Sequence, residues 1–363
     1  MEYLYKPDWE RAKKMFEAYW HQANEERCLL SVKAVKGVKH ENPSWGKNRD
    51  DETLEDHWFN TEKILKRYVN YFENTYFAAE ALPMVNVNLG PGVTAAYLGC
   101  KYNLESYTVW FEHIIQDWEK DSFEFDENSF MWKKTMEITQ TASEMGKGKF
   151  FVNQTDLSGV IDIIAHLRGT QELLYDLTDY PDEVKAARDK ILEIWFKCLN
   201  RLYDITRNTN DGGSLSWLAV WSPGLCHALQ CDFAAMISPA MFQEFALPEI
   251  EKQCRELPYS IFHLDGPGMV CHLDSLLEIK ELNAIQWQPG AGAPNPVQWP
   301  DLLKKIQNKG KSIHTWASCR EALDMLDYLS PEGLYIDVYD MLNSPQEADD
   351  FIKEAEKKCK GKF

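Results

Sequence analysis

The stretch "SIFHLDGPG", residues 260–268, decides how the chain is read. Its apolar pair Ile261 and Phe262 leads to His263 and Asp265, then breaks into Gly266-Pro267-Gly268. Side chains two apart on a strand point to the same side. The stretch therefore reads as a strand that delivers an imidazole and a carboxylate together at its carboxyl end. Runs of the same kind recur: "LLSVKAV" (29–35), "MVNVNL" (84–89), "FFVNQTD" (150–156), "SLSWLAVW" (214–221), "YSIFHLD" (259–265), "AIQWQP" (284–289), "KSIHTWAS" (311–318) and "LYIDV" (334–338). Between them lie segments with apolar residues at helical spacing, among them 61–77, 182–208 and 238–257. Ser238-Pro239 has the form of an N-cap followed by proline at the first helical position, and Ser-Pro recurs at 330 and 344.

Eight strands alternating with helices predict a single (β/α)8 TIM-type barrel, one domain over residues 1–363. It carries an N-terminal helical extension and helical insertions before the third and fourth strands. No GxGxxG follows the first strand, so an open nucleotide-binding sheet has little support. Function in such a barrel belongs at the carboxyl ends of the strands. Those ends carry Asn86 and Asn88, Asp156, Trp217 and Trp221, His263 and Asp265, Trp287 and Gln288, His314 and Trp316, and Asp337.

Composition narrows the partners. Apolar residues make up 44% and charged residues 26%, ordinary for a globular chain. The net charge of −18 argues against nucleic acid and against an anionic membrane surface. No apolar run approaches the roughly 18 to 20 residues of a membrane span, and "MEYLYKPDWERAKK" lacks a signal-peptide core. The expected location is the cytoplasm. Nine cysteines, none in a CxxC pair, fit reduced and mostly buried thiols.

"ISPAMFQEFALPEIEKQC" (237–254), followed by a strand ending in His-x-x-Gly, resembles the uroporphyrinogen decarboxylase superfamily, and so does "DLSGVIDIIAHLRGTQELLYDLTDYPDEV" (156–184). The resemblance implies a (β/α)8 barrel. It also implies one of two activities: cofactor-free decarboxylation, or methyl transfer with a metal and a corrinoid protein. The decarboxylase branch has an arginine-rich stretch near its N-terminus, where this chain reads "KAVKGVKHENPSWGKN" (33–48). The methyltransferase branch has His-x-Cys where this chain has His263 and Asp265, and a further cysteine near the last strand, where this chain offers Asp337, Tyr339 and Asp340.

Three readings of His263 and Asp265 stand side by side. They can cap the glycine turn, exchange protons with a substrate, or bind a metal together with Asp337. A site of imidazole and carboxylates is harder than a thiolate site, suited to zinc but open to other divalent ions. Trp217, Trp221, Trp287 and Trp316, with His314 and Asn88, are the expected substrate-binding residues, their indole faces suited to a cationic amine or an apolar methylated group. His272 and Asp274 read as the start of a helix, and Arg168 as a structural arginine.

The expected function is a methyltransferase moving a methyl group between a small methylated compound, an amine or an ether, and a corrinoid carried by a partner protein. Catalysis falls to His263, Asp265 and Asp337. Loss of both cysteines argues against thiol activation and favours the donor side. The alternatives are a cofactor-free decarboxylase or lyase acting on a small carboxylic acid, and a non-catalytic binding protein.

Overall fold

The computed structural model describes residues 2–43 and 52–362, so residues 44–48 of the loop quoted above lie outside the described residues. Seven strands form its continuous sheet: β1 (Leu29–Val35), β2 (Thr75–Ala79), β3 (Cys226–Gln230), β4 (Tyr259–Asp265), β5 (Ala284–Gln288), β6 (Ser312–Ala317) and β7 (Leu334–Leu342). Their order is β2-β1-β7-β6-β5-β4-β3. All neighbours are parallel except β1 and β2, which pair antiparallel. Helices separate most of the parallel strands, giving a mixed α/β fold. No described helix is long and apolar enough to cross a membrane.

Three expected strands are corrected. Runs 84–89 and 150–156 shrink to Met84–Val85 and Phe151–Val152, which pair parallel with each other as a separate two-stranded ladder. Carboxamides take over where the ladder stops. Val87 N donates to Asn153 Oδ1 at 2.7 Å, Val152 N to Asn210 Oδ1 at 3.0 Å, and Asn210 Nδ2 to Val152 O at 2.7 Å. Asn and Gln side chains that satisfy backbone groups in this way compete with regular pairing. Run 214–221 supplies no strand to the seven-stranded sheet. Ser214–Leu215 turns back to pair antiparallel with Trp221–Ser222, and Ala219 adopts φ 57° in the turn between them. Its expected place beside β4 is taken by β3, five residues that the sequence reading left unassigned.

Two helix expectations change as well. The window 61–77 is helical only as Thr61–Asn74, after which the β-branched and aromatic Thr75-Tyr76-Phe77 enter β2. Ser344-Pro345 does start a helix, Pro345–Cys359, with Ser344 Oγ accepting from Glu347 N at 3.3 Å. Ser330-Pro331 does not, because Gly333 at φ 61° turns the chain directly into β7.

Alternation along the strands separates two cores. Leu30, Leu229, Phe262, Leu264, Ile285, Trp287, Ile313 and Ile336 face the helices. On the opposite face, the strand beginnings contribute Leu29, Ala228, Ile261, Ala284 and Tyr335 to a second cluster. The helix Trp9–Trp20 closes over that cluster with Trp9, Phe16, Tyr19 and Trp20. Full burial of each such side chain is worth on the order of 1.5–3 kcal/mol. The chain leading into β1 is held by Arg27, whose Nη1 and Nη2 bond the two oxygens of Glu80 at 2.6 and 2.9 Å. Glu80, just past β2, also accepts from Leu30 N at 2.9 Å, and both side chains are almost fully buried.

His227 of β3 is buried against Trp195, ring centroids 5.4 Å apart, with no partner for either ring nitrogen among the described residues. Burial pushes its pKa down to about 3. The folded state therefore refuses a proton that the unfolded chain accepts near 6.5. This group costs stability as pH falls from about 6.5 toward about 3, at most about 1.4 kcal/mol per pH unit. His227→Leu is expected to flatten that part of the pH dependence in urea titrations at pH 7 and pH 5. If the wild-type and variant slopes coincide, the dependence lies elsewhere.

Candidate active site

On the face away from the helices, side chains change character along the strands. Pairing aligns Gln230, His263, Gln286, His314 and Tyr335 in one row across β3 to β7. The next positions along the same face, toward the carboxyl ends, are Asp265, Gln288, Trp316 and Asp337. The apolar strand beginnings thus give way to a polar row and then to charge, and a cavity opens over these ends.

His263 and Asp265 do emerge together. The His263 imidazole presents Nδ1 to Gln286 Oε1. A carboxamide oxygen only accepts, so Nδ1 is the donor in this contact, and Nε2 takes no part in it. The Trp217 ring stands nearly perpendicular to the imidazole, with centroids 5.1 Å apart. Past Asp265 the chain turns at Gly266, φ 82°, whose N–H bonds Gln288 O at 2.7 Å. That conformation favours glycine.

The third member of the cluster is Asp232. Ligand atoms of Asp232, His263 and Asp265 lie within 4.8 Å of one another. Asp232 begins the 3-10 turn Asp232–Met236 directly after β3. Asp162, buried on the helix Val160–Arg168, fixes that turn by accepting from Asp232 N at 3.0 Å and Phe233 N at 2.8 Å. Burial and the Asp232 charge push Asp162 up to about 7. The Asp232 side chain meets solvent, yet protein packed around its carboxyl raises its pKa; His263 opposes the rise and Asp265 adds to it. The sequence reading missed Asp232 because the strand leading to it was unassigned.

Gly159 is the tightest point of this scaffold. A Cβ there would lie 2.2 Å from Gln230 O and 2.4 Å from Asp162 Oδ2. Gly159→Ala must therefore displace backbone beneath Asp232. Overpacking of this kind costs about 1–3 kcal/mol, and chemical denaturation should read a loss in that range. An unchanged midpoint would mean the helix shifts freely.

Asp337 faces the same cavity as His263 but stands outside the three-residue cluster, which corrects its assignment as their partner in binding metal. Lys33 Nζ reaches its Oδ1 at 3.0 Å. Burial works to raise the Asp337 carboxyl, but Lys33, Ser31 and His314 outweigh it and hold its pKa below the ordinary value. An aspartate neutralised by its own lysine has little charge to offer a cation. His314 is buried and stacked on Tyr335, centroids 4.7 Å apart, and burial lowers its pKa to about 4, so it is neutral at physiological pH.

The four tryptophans divide. Trp217 and Trp316 line the cavity with His263, and Trp316 Nε1 donates to Gln288 Oε1 at 2.6 Å. Trp221 does not belong there. It is buried beside Trp9 and Phe16 at the opposite end, with its Nε1 on Asn210 O at 2.9 Å. Trp287 pairs with Leu264, one residue out of phase with His263, and so faces the helices, packed on Trp299. Both leave the list of substrate-binding residues. His272 is structural, as read: it is stacked on Phe242, with its Nε2 at 2.9 Å from Ala234 O. Arg168 likewise pairs with Asp176 at 2.6 Å.

Two neighbouring cavities share the residues Asn86 and Trp217 in their walls. The larger, about 560 Å³, lies over the strand ends and contains His263, Gln286, His314, Trp316 and Asp337. The smaller, about 440 Å³, extends beside it and holds Asn88 and Asp156. Asn88 spends its Oδ1 on Gly90 N at 2.9 Å. Burial pushes Asp156 up to about 6, with Asp232 adding to the rise against Ser158 N, His263 and Gln230.

No protein-family model matches this chain, and no curated protein matches it. Solved structures do. A methyltransferase from Methanosarcina mazei superposes with a TM-score of 0.60 at 12% identity, over 96% of this chain and 98% of that one. A B12-independent methionine synthase from Shewanella sp. W3-18-1 in complex with selenomethionine gives a TM-score of 0.44 at 9% identity, over 92% of this chain and 97% of that one. At such identities the first likeness establishes a shared fold.

Proposed function

We propose that the protein is a methyltransferase that takes a methyl group from a small methylated amine or ether and passes it to a corrinoid carried by a partner protein. The reading places the seven-stranded sheet and its short flanking ladders in a closed (β/α)8 barrel of the uroporphyrinogen decarboxylase superfamily. The observation that carries it is the convergence of Asp232, His263 and Asp265, whose ligand atoms lie within 4.8 Å of one another, with His263 also lining the larger cavity. Likeness of fold to a methyltransferase agrees with it.

Removing a methyl group from an ether or amine breaks a C–O or C–N bond and leaves its electron pair on the heteroatom. The carbon takes its new bond from the electron pair of the acceptor. The departing heteroatom needs a proton or a Lewis acid at that moment. One imidazole and two carboxylates make a donor set that fits zinc and other divalent ions. Such an ion would supply Lewis acidity to the heteroatom. The chain's own residues do the rest. Gln286 bonds Nδ1 of His263 and so orients its ring, Asp162 holds the turn bearing Asp232, and Trp217 packs edge-on against the imidazole. Lys33, the cation lining the larger cavity among the described residues, is taken up by Asp337, which gives a carboxylic acid substrate little to bind.

Metal analysis of purified protein, followed by methyl transfer to added cob(I)alamin from a panel of methylated amines and ethers, tests the reading. About one divalent ion per chain and methylcobalamin formation are expected. Metal-free protein that transfers nothing sinks it.

A further inference from the structure

Two of the nine cysteines meet at the beginning of β1, the end of the sheet away from the cavities. Cys28 directly precedes that strand, and Cys359 ends the helix Pro345–Cys359, more than three hundred residues later in the chain. Ion-pair geometry brings the two segments into register. Arg27 Nη1 bonds Cys28 O at 2.7 Å, and Arg27 Nε lies 3.8 Å from Glu356 Oε1. Residues three apart on a helix share a face, so the turn that brings Glu356 to Arg27 brings Cys359 to Cys28. Ala348, Phe351, Ala355 and Cys359 form the buried stripe of this helix, and both cysteines are fully buried.

The contact is direct. The Cys28 thiol and the Cys28 backbone N–H both donate to Cys359 Sγ. Donation by the Cys28 thiol, then by its N–H, lowers the Cys359 pKa against the effect of burial, with Lys362 and Arg27 adding to the drop. The same thiol–thiol bond, together with burial, raises that of Cys28. One sulfur is thus held toward thiolate and its neighbour toward thiol, the division of labour between an attacking and a resolving cysteine. Burial instead pushes Cys100, Cys198, Cys226 and Cys254 up to about 12, the condition of inert thiols. Helix ends fray, and opening of the last turn admits a small oxidant to Cys359.

We propose that Cys28 and Cys359 are an oxidation site, converted by hydrogen peroxide to a reversible disulfide that ties the last turn of this helix to the start of β1. The Cys359 thiolate attacks one peroxide oxygen, forming an S–O bond and breaking the O–O bond. The departing hydroxide takes a proton and leaves as water, and Cys359 is a sulfenic acid. The Cys28 sulfur then displaces the sulfenic hydroxyl, which takes the Cys28 proton and leaves as a second water. Two thiols and one peroxide give one disulfide and two waters, with two electrons passing from sulfur to oxygen. A thiol reductant returns both cysteines by exchange. Cytosolic disulfides, where they form, are of this transient, redox-sensing kind. The site is independent of the methyl-transfer reading.

The reduced, purified chain is exposed to a small excess of hydrogen peroxide, its remaining thiols are blocked under denaturing conditions, and its peptides are mapped by mass spectrometry. Expected is a peptide pair joining Cys28 to Cys359, lost again on treatment with dithiothreitol. The melting midpoint of the oxidised protein should rise by about 5 °C, because a cross-link closing so long a loop constrains the unfolded chain. Cys28→Ser should abolish the link and the rise, and leave Cys359 as a sulfenic acid that dimedone traps. Should that variant fail to fold, the wild-type peptide map and melting curves decide alone. Cysteines 28 and 359 that both stay reduced, or that pair with other cysteines instead, overturn the proposal. So does a link that leaves the melting midpoint unchanged, since the helix is then not held by it.

Discussion

Asp265→Asn is expected to lower turnover by about 10²- to 10⁴-fold, the range in which positioned acid–base groups act, while the fold stays intact. The substitution keeps volume and removes charge. Asp265 is the last paired residue of β4, half-buried, and the turn behind it is held by Gly266 N on Gln288 O rather than by the carboxylate. A carboxamide in that position should therefore leave stability within about 0.5 kcal/mol of wild type. Bound divalent metal should fall in parallel, because one of three charged or imidazole donors is lost. Metal analysis, turnover and thermal melting are read on the same preparation. Full activity and full metal content in the variant would return Asp265 to the status of a turn residue.

Glu80→Gln is expected to destabilise the protein by about 3–5 kcal/mol, the cost of leaving a buried charge without its partner. Arg27 and Glu80 are almost wholly excluded from water and meet through two hydrogen bonds, and Glu80 also holds Leu30 N. Arg27 precedes β1 and Glu80 follows β2, so the pair ties down the antiparallel edge of the sheet. The double variant Arg27→Met/Glu80→Leu removes both charges and should recover much of the loss, as apolar replacements of buried pairs do. Urea titration of the single and double variants checks both statements. A single variant within about 1 kcal/mol of wild type would mean that water, or Glu356 at 3.8 Å from Arg27 Nε, compensates the charge.

The site was legible where chemistry and strand ending coincide in a few consecutive residues. "HLDG" (263–266) states direction, side and turn at once, and the structure does put His263 and Asp265 on one face at a strand end. Asp232 was illegible for a physical reason. Its strand is five residues long, and it meets His263 only through sheet pairing across more than thirty residues of sequence. Trp287 went wrong by one position. Period-two alternation puts Gln286 beside His263 and so turns the indole to the helices. Asp337 has the right strand and the right face, but its lysine comes from β1, at the other end of the sequence. The shortened ladder at Met84–Val85 and Phe151–Val152 turns on Asn153 and Asn210, whose partners no local pattern announces. Strand existence followed from hydrophobic runs, whereas strand length depended on which side chains could replace a backbone partner.

The helix Trp9–Trp20 has a kinetic consequence. It seals the apolar beginnings of the strands with four large rings, so the cavity over the opposite ends has no passage through that end of the sheet. Whatever enters cannot leave through that end. A spent molecule still in the pocket then bars the next one, and on the methyl-transfer reading proposed above the demethylated product should inhibit competitively against its own parent, with release able to set the pace of the cycle.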